Sequence, residues 1–211
     1  MMRLIGYFRS GAAYRVRIAL NLKGLTVEHA FRHLRKGEQR APDYLALNPQ
    51  GLVPTLITDD GSALTQSLAI IEWLDETWPE PPLLPAEPWA RARVRAFAQA
   101  IASDTHPVQN LRVLNRLRAL GHAEEAVTAW AGSVNDEGLA ACEALIAHEP
   151  GPFCFGAAPT LADICLVPQL GNALRYKVDV ARFKRLLEAE AAALDLAAFR
   201  DAAPERQADA E

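Results

Sequence analysis

Two rhythms of apolar residues alternate through the first eighty positions. Residues 4–8 are a short apolar and aromatic run of strand length. Over residues 12–23 the period changes: Ala12, Val16, Ala19, Leu20 and Lys23 fall at helical spacing, and Gly24 follows as a left-handed stop. Residues 26–34 read as a second strand, and 43–47 as a short helix ended by Asn48-Pro49. Two further strands, 53–58 and 63–65, flank Asp59-Asp60-Gly61, a hairpin signal. Ser67 is the expected N-cap of a helix running to about Thr77. The predicted order, β-α-β-α-β-β-α, suits a thioredoxin-like α/β layer.

The texture changes after residues 77–88, TWPEPPLLPAEP, which hold five of the fourteen prolines. Proline fixes φ and removes a donor, so this stretch continues neither helix nor sheet and reads as a stiff connector. Beyond it alanine and leucine dominate helical patterns over 89–103, 111–120, 124–148, 160–174 and 183–194. Thr160-Leu-Ala-Asp163 is a capping box, with Thr160 as N-cap and Asp163 reaching back from the third helical position. The charged, alanine-rich tail from Asp201 is expected to fray. The expected fold is α/β plus all-α: a thioredoxin-like domain over 1–80, a proline-rich linker over 81–88 and a helical domain over 89–211.

Composition narrows the function classes. Half the residues are hydrophobic and 23% are charged, the balance of a globular chain. A formal net charge of -4 offers no electrostatic case for nucleic acid or an anionic membrane, so an anionic ligand needs local cations. Cys142, Cys154 and Cys165 form no C-x-x-C pair. They are too sparse for a disulfide framework or a zinc site, and they suit a reducing cytosol. No metal is expected. The N-terminus lacks a signal-peptide stretch and no apolar run approaches ~20 residues, so a cytoplasmic protein is expected.

The segments FRSGAAYRVRIALNLKGL, ALNPQGLVPTL, LTQSLAIIEWLDETWP, SDTHPVQNLRVL and PTLADICLVPQ together resemble the zeta class of glutathione transferases. Within that class they look like the bacterial maleylacetoacetate and maleylpyruvate isomerases. The likeness runs through nearly the whole chain in the right order. It implies the glutathione transferase fold, glutathione as cofactor and a homodimer.

Each site has a structural reading and a functional one. Ser10 is placed to cap the first helix, where its oxygen satisfies an orphan N–H. The same helix terminus favours an ionised thiol, and a hydroxyl aimed at sulfur adds a hydrogen bond to the thiolate. The resemblance gives Arg9-Ser10 that catalytic role. Gly11-Ala12 stand where the family often has a second serine and a cysteine. Val53-Pro54 opens a strand; base rates favour a trans bond, whereas the resemblance implies a cis bond with the Val53 main chain pairing with glutathione. Gln66-Ser67 precede a helix whose N-terminus can hold a carboxylate. The resemblance assigns them to the γ-glutamyl end and Gln39 to the glycyl end.

In the helical half, Pro107 interrupts a helix beside His106, and His106 and Asn110 are four apart, so they are expected on one face. The resemblance puts that face over a substrate pocket, with Gln109 near glutathione; Arg112 points elsewhere on a regular helix. Arg175 either answers the dipole of the helix it ends or holds a substrate carboxylate. The implied substrate is a dicarboxylate keto acid whose double bond must lose its bond order before it can rotate. A glutathione thiolate adding to the alkene meets that need, with Arg9, Arg112 and Arg175 suited to carboxylates. Arg9, His106 or Asn110 would stabilise the developing charge. Two other readings stay open: a general transferase or dehalogenase acting on small electrophiles, and a non-catalytic interaction module. A glutaredoxin-like reductase is disfavoured, since no cysteine lies at the first helix.

Overall fold

A mixed four-stranded sheet forms around the apolar run near the N-terminus in a computed structural model that describes all residues 1–211. Its strands are β1 (Arg3–Gly6), β2 (Glu28–Phe31), β3 (Thr55–Ile57) and β4 (Ala63–Thr65), in the order β2-β1-β3-β4. β1 is parallel to β2 and antiparallel to β3, and β3 is antiparallel to β4. A parallel pair needs a crossover. Helix α1 (Gly11–Leu22) supplies it, capped by Ser10 and followed by Gly24 at φ 64°. Helices α2 (Pro42–Leu47) and α3 (Ser67–Thr77) complete the expected order. The hairpin signal is also met, since Thr58 N–H donates to the Ser62 carbonyl at 2.9 Å and Gly61 takes φ 86°.

Helix α1 packs on α3, with Val16, Ile18, Ala19, Ile70 and Leu74 fully buried. Each large aliphatic side chain withdrawn from water in this seam contributes about 1.5–3 kcal/mol. Lys23 Nζ closes it by donating to Asp75 Oδ1 and to the Pro81 carbonyl, both at 2.6 Å.

The chain divides into two units, Met1–Leu83 with Asp195–Glu211, and Leu84–Leu194. The change at Leu83 falls inside the predicted 81–88 linker. The C-terminal segment departs from the expected domain 89–211: Asp195–Glu211 belongs with the first unit, and within the stretch from Asp201, expected to fray, Ala202 and Ala203 are buried. It forms a short helix, α9 (Ala197–Arg200), with Phe199 fully buried. Tyr14 Oη donates to the Phe199 carbonyl at 3.1 Å, Arg17 Nε to the Ala202 carbonyl at 2.9 Å and Asn21 Nδ2 to the Ala198 carbonyl at 3.0 Å. The physical reason lies in α1, which is buried at every position from Ala13 to Leu20. A helix buried all round needs cover on more than its sheet-facing stripe.

The second unit is helical: α4 (Pro88–Gln99), α5 (Leu111–Ala119), α6 (Glu124–Ile146), α7 (Leu161–Arg175) and α8 (Lys184–Leu194). Every residue from Leu161 to Leu170 is buried, and α7 packs against α4, α6 and α8. The expected capping box starts it. Ala162 N–H donates to Thr160 Oγ1 at 3.3 Å, and Asp163 Oδ2 accepts from the Thr160 N–H at 2.8 Å. Asp163 Oδ1 also accepts from the Cys154 N–H at 2.8 Å, tying the preceding loop to the helix.

Candidate active site

The strand register gathers four stretches of chain at one end of the sheet. Ile5 pairs with Thr55, and Thr55 pairs with Thr65. The chain leaving β1 toward Ser10, the chain entering β3 from Val53, and the chain leaving β4 toward Ser67 therefore lie at the same end. Gly6 pairs with Phe31 in the parallel ladder, so the chain leaving β2 toward Gln39 emerges there too.

Ser10 fulfils its structural reading and leaves room for the functional one. Its Oγ accepts from the Ala13 N–H at 3.2 Å. A hydroxyl that accepts with a lone pair retains its own proton for donation, so the cap and a thiolate contact are compatible. The Arg9 guanidinium lies over the Phe8 ring, 5.9 Å from its centroid. The Val53-Pro54 bond is cis, and neither main-chain group of Val53 takes part in the turn and loop backbone hydrogen bonds.

At α3 one expectation is corrected. Gln66, not Ser67, is the N-cap, at φ 70°, and no side chain caps the helix; Ser67 is the first helical residue. The N–H groups of the first turn thus stand without a side-chain acceptor, which makes this terminus fit for a carboxylate. A non-glycine residue at positive φ is uncommon and marks a backbone held in place by its surroundings. Gln66 Nε2 donates to Gln50 Oε1 at 2.7 Å, and buried Arg15 donates through Nη1 to Ser67 Oγ at 3.5 Å. Gln50 and Arg15 were not foreseen. Both stand in segments that carry the resemblance, Gln50 in ALNPQGLVPTL and Arg15 in FRSGAAYRVRIALNLKGL, and no local signal marks either. Gln39 Nε2 donates to the Leu34 carbonyl at 3.3 Å, and its Oε1 is buried without a partner. The uncapped helix, the Val53 main chain, the spare Ser10 proton and the orphaned Gln39 oxygen together fit an extended, carboxylate-bearing thiol peptide.

The helical unit holds the other candidates. Helix α4 runs into a π-helical turn, Ala100–Thr105, in which His106 N–H donates to the Ile101 carbonyl at 2.8 Å. Single π turns inside helices often mark functional sites. Residues 106–110 then form a turn, so His106 and Asn110 do not share a helix face, and that expectation fails. Pro107 stops the helix and a new one starts: Asn110 is the N-cap of α5, its Oδ1 accepting from the Arg112 and Val113 N–H groups at 3.1 and 3.3 Å. Gln109 is buried, and Arg112 is exposed on the first turn of α5. Arg175 is exposed in the last turn of α7 and donates to Asn172 Oδ1 at 3.4 Å.

The protein's own thiols are unsuited to nucleophilic work. All three cysteines are free and buried. Burial pushes the Cys142 thiol up to about 12 and raises Cys154 as well. Thiolate is the reactive form, so Cys142 and Cys154 stay inert near neutral pH.

A thioredoxin-like unit with a serine at its first helix and an uncapped third helix, in one chain with a helical unit, defines a two-part protein whose first unit is suited to a thiol peptide. The glutathione S-transferase N-terminal domain matches residues 9–77, and the glutathione S-transferase C-terminal domain matches residues 124–204. A maleylpyruvate isomerase from a Ralstonia species is 47% identical over 211 residues, covering 99% of both chains. A maleylacetoacetate isomerase from Pseudomonas aeruginosa is 48% identical over 210 residues, covering 99% of this chain and 98% of that one. The crystal structure of a maleylacetoacetate isomerase from Methylobacterium extorquens AM1, with bound malonate and glutathione, superposes with a TM-score of 0.96 at 42% identity, covering 99% of both chains. The chain belongs to the glutathione transferase family, in its zeta class.

Proposed function

We propose that this protein catalyses the glutathione-dependent cis–trans isomerisation of a maleyl keto acid, maleylpyruvate or maleylacetoacetate, to its fumaryl form. The observation that carries this reading is end-to-end similarity to isomerases of both names, joined to a Ser10 hydroxyl free to donate at the α1 N-terminus. Glutathione, when bound, supplies a thiolate whose reversible addition lets the double bond rotate.

The residues divide the remaining work. Ser10 donates to the sulfur, and the α1 terminus favours its negative charge. The open first turn of α3 with Gln66 and Ser67 holds the γ-glutamyl end, the Val53 main chain holds the cysteinyl unit, Gln39 takes the glycyl carboxylate, and Gln109 belongs to the glutathione-binding set. Arg9, Arg112 and Arg175 suit the two substrate carboxylates, because a planar guanidinium matches a carboxylate's fork. His106 and Asn110 orient the keto acid, though Asn110 Oδ1 is committed to its cap and only its amide N–H groups remain for substrate. The assignment extends to a cytoplasmic homodimer; sparse unpaired cysteines suit a reducing compartment, and no helix is long and apolar enough to cross a membrane.

The test supplies maleylpyruvate and maleylacetoacetate in turn, with and without glutathione, and follows the fumaryl product. Conversion that requires glutathione, and leaves it unconsumed, is expected. Stoichiometric loss of glutathione to a conjugate would instead establish the general transferase reading.

A further inference from the structure

The turn that carries Arg9 and Ser10 belongs to neither β1 nor α1, so something else must fix it. Within the turn, Ser10 N–H donates to the Tyr7 carbonyl at 3.0 Å. Both main-chain groups of buried Phe8, in its middle, are taken by side chains. The Phe8 N–H donates to Asp209 Oδ2 at 2.9 Å, across 201 positions of sequence. The Phe8 carbonyl accepts from Arg17 Nη2 at 3.2 Å. Arg17 in turn donates through Nε to the Ala202 carbonyl at 2.9 Å. The returning segment Asp195–Glu211 therefore reaches the turn twice, directly through Asp209 and indirectly through Arg17.

The electrostatics agree with this geometry. Burial pulls the Arg17 guanidinium down to about 10, and the negative charge of Asp209 works against that fall. A buried cation and a carboxylate thus hold the two peptide units on either side of Phe8. A hydroxyl stabilises a thiolate only from the right distance and angle, and small displacements forfeit most of the effect. Whatever sets the Phe8 peptide also sets the direction of the next two residues.

We propose that Asp209, together with Arg17, is a positioning residue for the Arg9-Ser10 turn, so that the C-terminal segment is part of the thiol-activating apparatus. This rests on the glutathione reading above. Asp209 acts through the Phe8 N–H and touches no reacting atom.

Full-length Asp209→Ala and Asp209→Asn would each be saturated with glutathione, and thiolate formation titrated by its ultraviolet absorbance. Affinity for S-methylglutathione, which lacks an ionisable thiol, would be measured alongside. Asp209→Ala is expected to raise the bound thiol's pKa by about one unit, and to lower kcat/KM at neutral pH about tenfold. Its affinity for S-methylglutathione should stay within about twofold of the parent, because the peptide contacts lie on other loops. Asp209→Asn keeps an oxygen for the Phe8 N–H and should restore both quantities, which a mere loss of charge would not. If Asp209→Ala does not fold, Asp209→Glu carries the test, since it keeps the charge but moves the acceptor by one methylene and should raise the pKa likewise. An unchanged thiol pKa in the alanine or glutamate variant overturns the proposal. So does an equal loss of S-methylglutathione affinity, or an asparagine variant as impaired as the alanine one. A parent protein that binds glutathione without forming thiolate refutes the glutathione reading instead.

Discussion

A serine hydroxyl has two lone pairs and one proton, and Ser10 spends a lone pair on the Ala13 N–H while keeping the proton. Structural and chemical roles are therefore not rivals at this position. Ser10→Ala should lose both: about 1 kcal/mol of stability from the missing cap, read as a lower urea midpoint, and a bound-thiol pKa raised by about one unit or more. Turnover should fall on the order of 10- to 100-fold at neutral pH, less so as alkali restores the thiolate. Ser10→Gly separates the two roles, because glycine replaces a helix cap at a cost of only a few tenths of a kcal/mol but donates nothing to sulfur. A glycine variant with parental thiol pKa would return Ser10 to a cap alone. With Gly11 and Ala12 beside it, no second hydroxyl or thiol stands ready to compensate.

Helix α4 shows how an element can be foreseen while its function-bearing end is not. Its helical pattern from Trp89 reads plainly from sequence, although Pro88, expected in the connector, is its first helical residue. Its last stretch, the π-helical turn Ala100–Thr105, packs against α6. At Gly138, in α6, an added Cβ would lie 2.2 Å from Thr105 Oγ1 and 2.7 Å from its Cγ2. Thr105 is buried and donates through Oγ1 to the Ala100 carbonyl at 2.8 Å. The glycine is therefore required by close approach rather than by its own torsions. Gly138→Ala should cost about 1–3 kcal/mol of stability through this overlap, measured by chemical denaturation. Combining it with Thr105→Ala should recover part of the loss, since the overlapping atoms are then removed. Additive losses in the double variant would refute the clash. The four-residue spacing places His106 and Asn110 on one face only if helical register carries across the interruption at Pro107, and a turn with a fresh N-cap at Asn110 removes that register.

The whole molecule uses its last residues to finish its first unit. Phe199 is fully buried, and α1 packs against α9. Phe199→Ala should destabilise the protein by about 3–5 kcal/mol, at the level of a central core aromatic. The fragment 1–83 should lack a cooperative unfolding transition, and adding a peptide of residues 195–211 should restore one. A fragment 1–83 that unfolds cooperatively by itself would show that the tail is dispensable to the unit. Charge and alanine content suggested fraying because composition says nothing of the surface waiting to receive a segment.

The sequence by itself determined every local feature whose cause lies within a few residues. Ser10 and Thr160 as caps, the Asp59-Asp60-Gly61 hairpin, the Gly24 stop and the proline-rich connector all follow from short-range sterics and hydrogen bonding. It also marked Arg9, Ser10, Gln39, Val53, Pro54, Gln66 and Ser67 by resemblance, and the strand register brings the segments bearing them to one end of the sheet. Tertiary structure alone decided the positive φ of Gln66 at an uncapped helix, the π turn against Gly138 and the return of the tail to α1. Each of these depends on groups far apart in the chain, where burial and the satisfaction of main-chain donors outweigh local preference. The main chain of Phe8, held between Arg17 and Asp209, is such a case: the sequence reads residues 4–8 as strand, whereas the strand ends at Gly6 and only the fold supplies the partners that hold the turn after it.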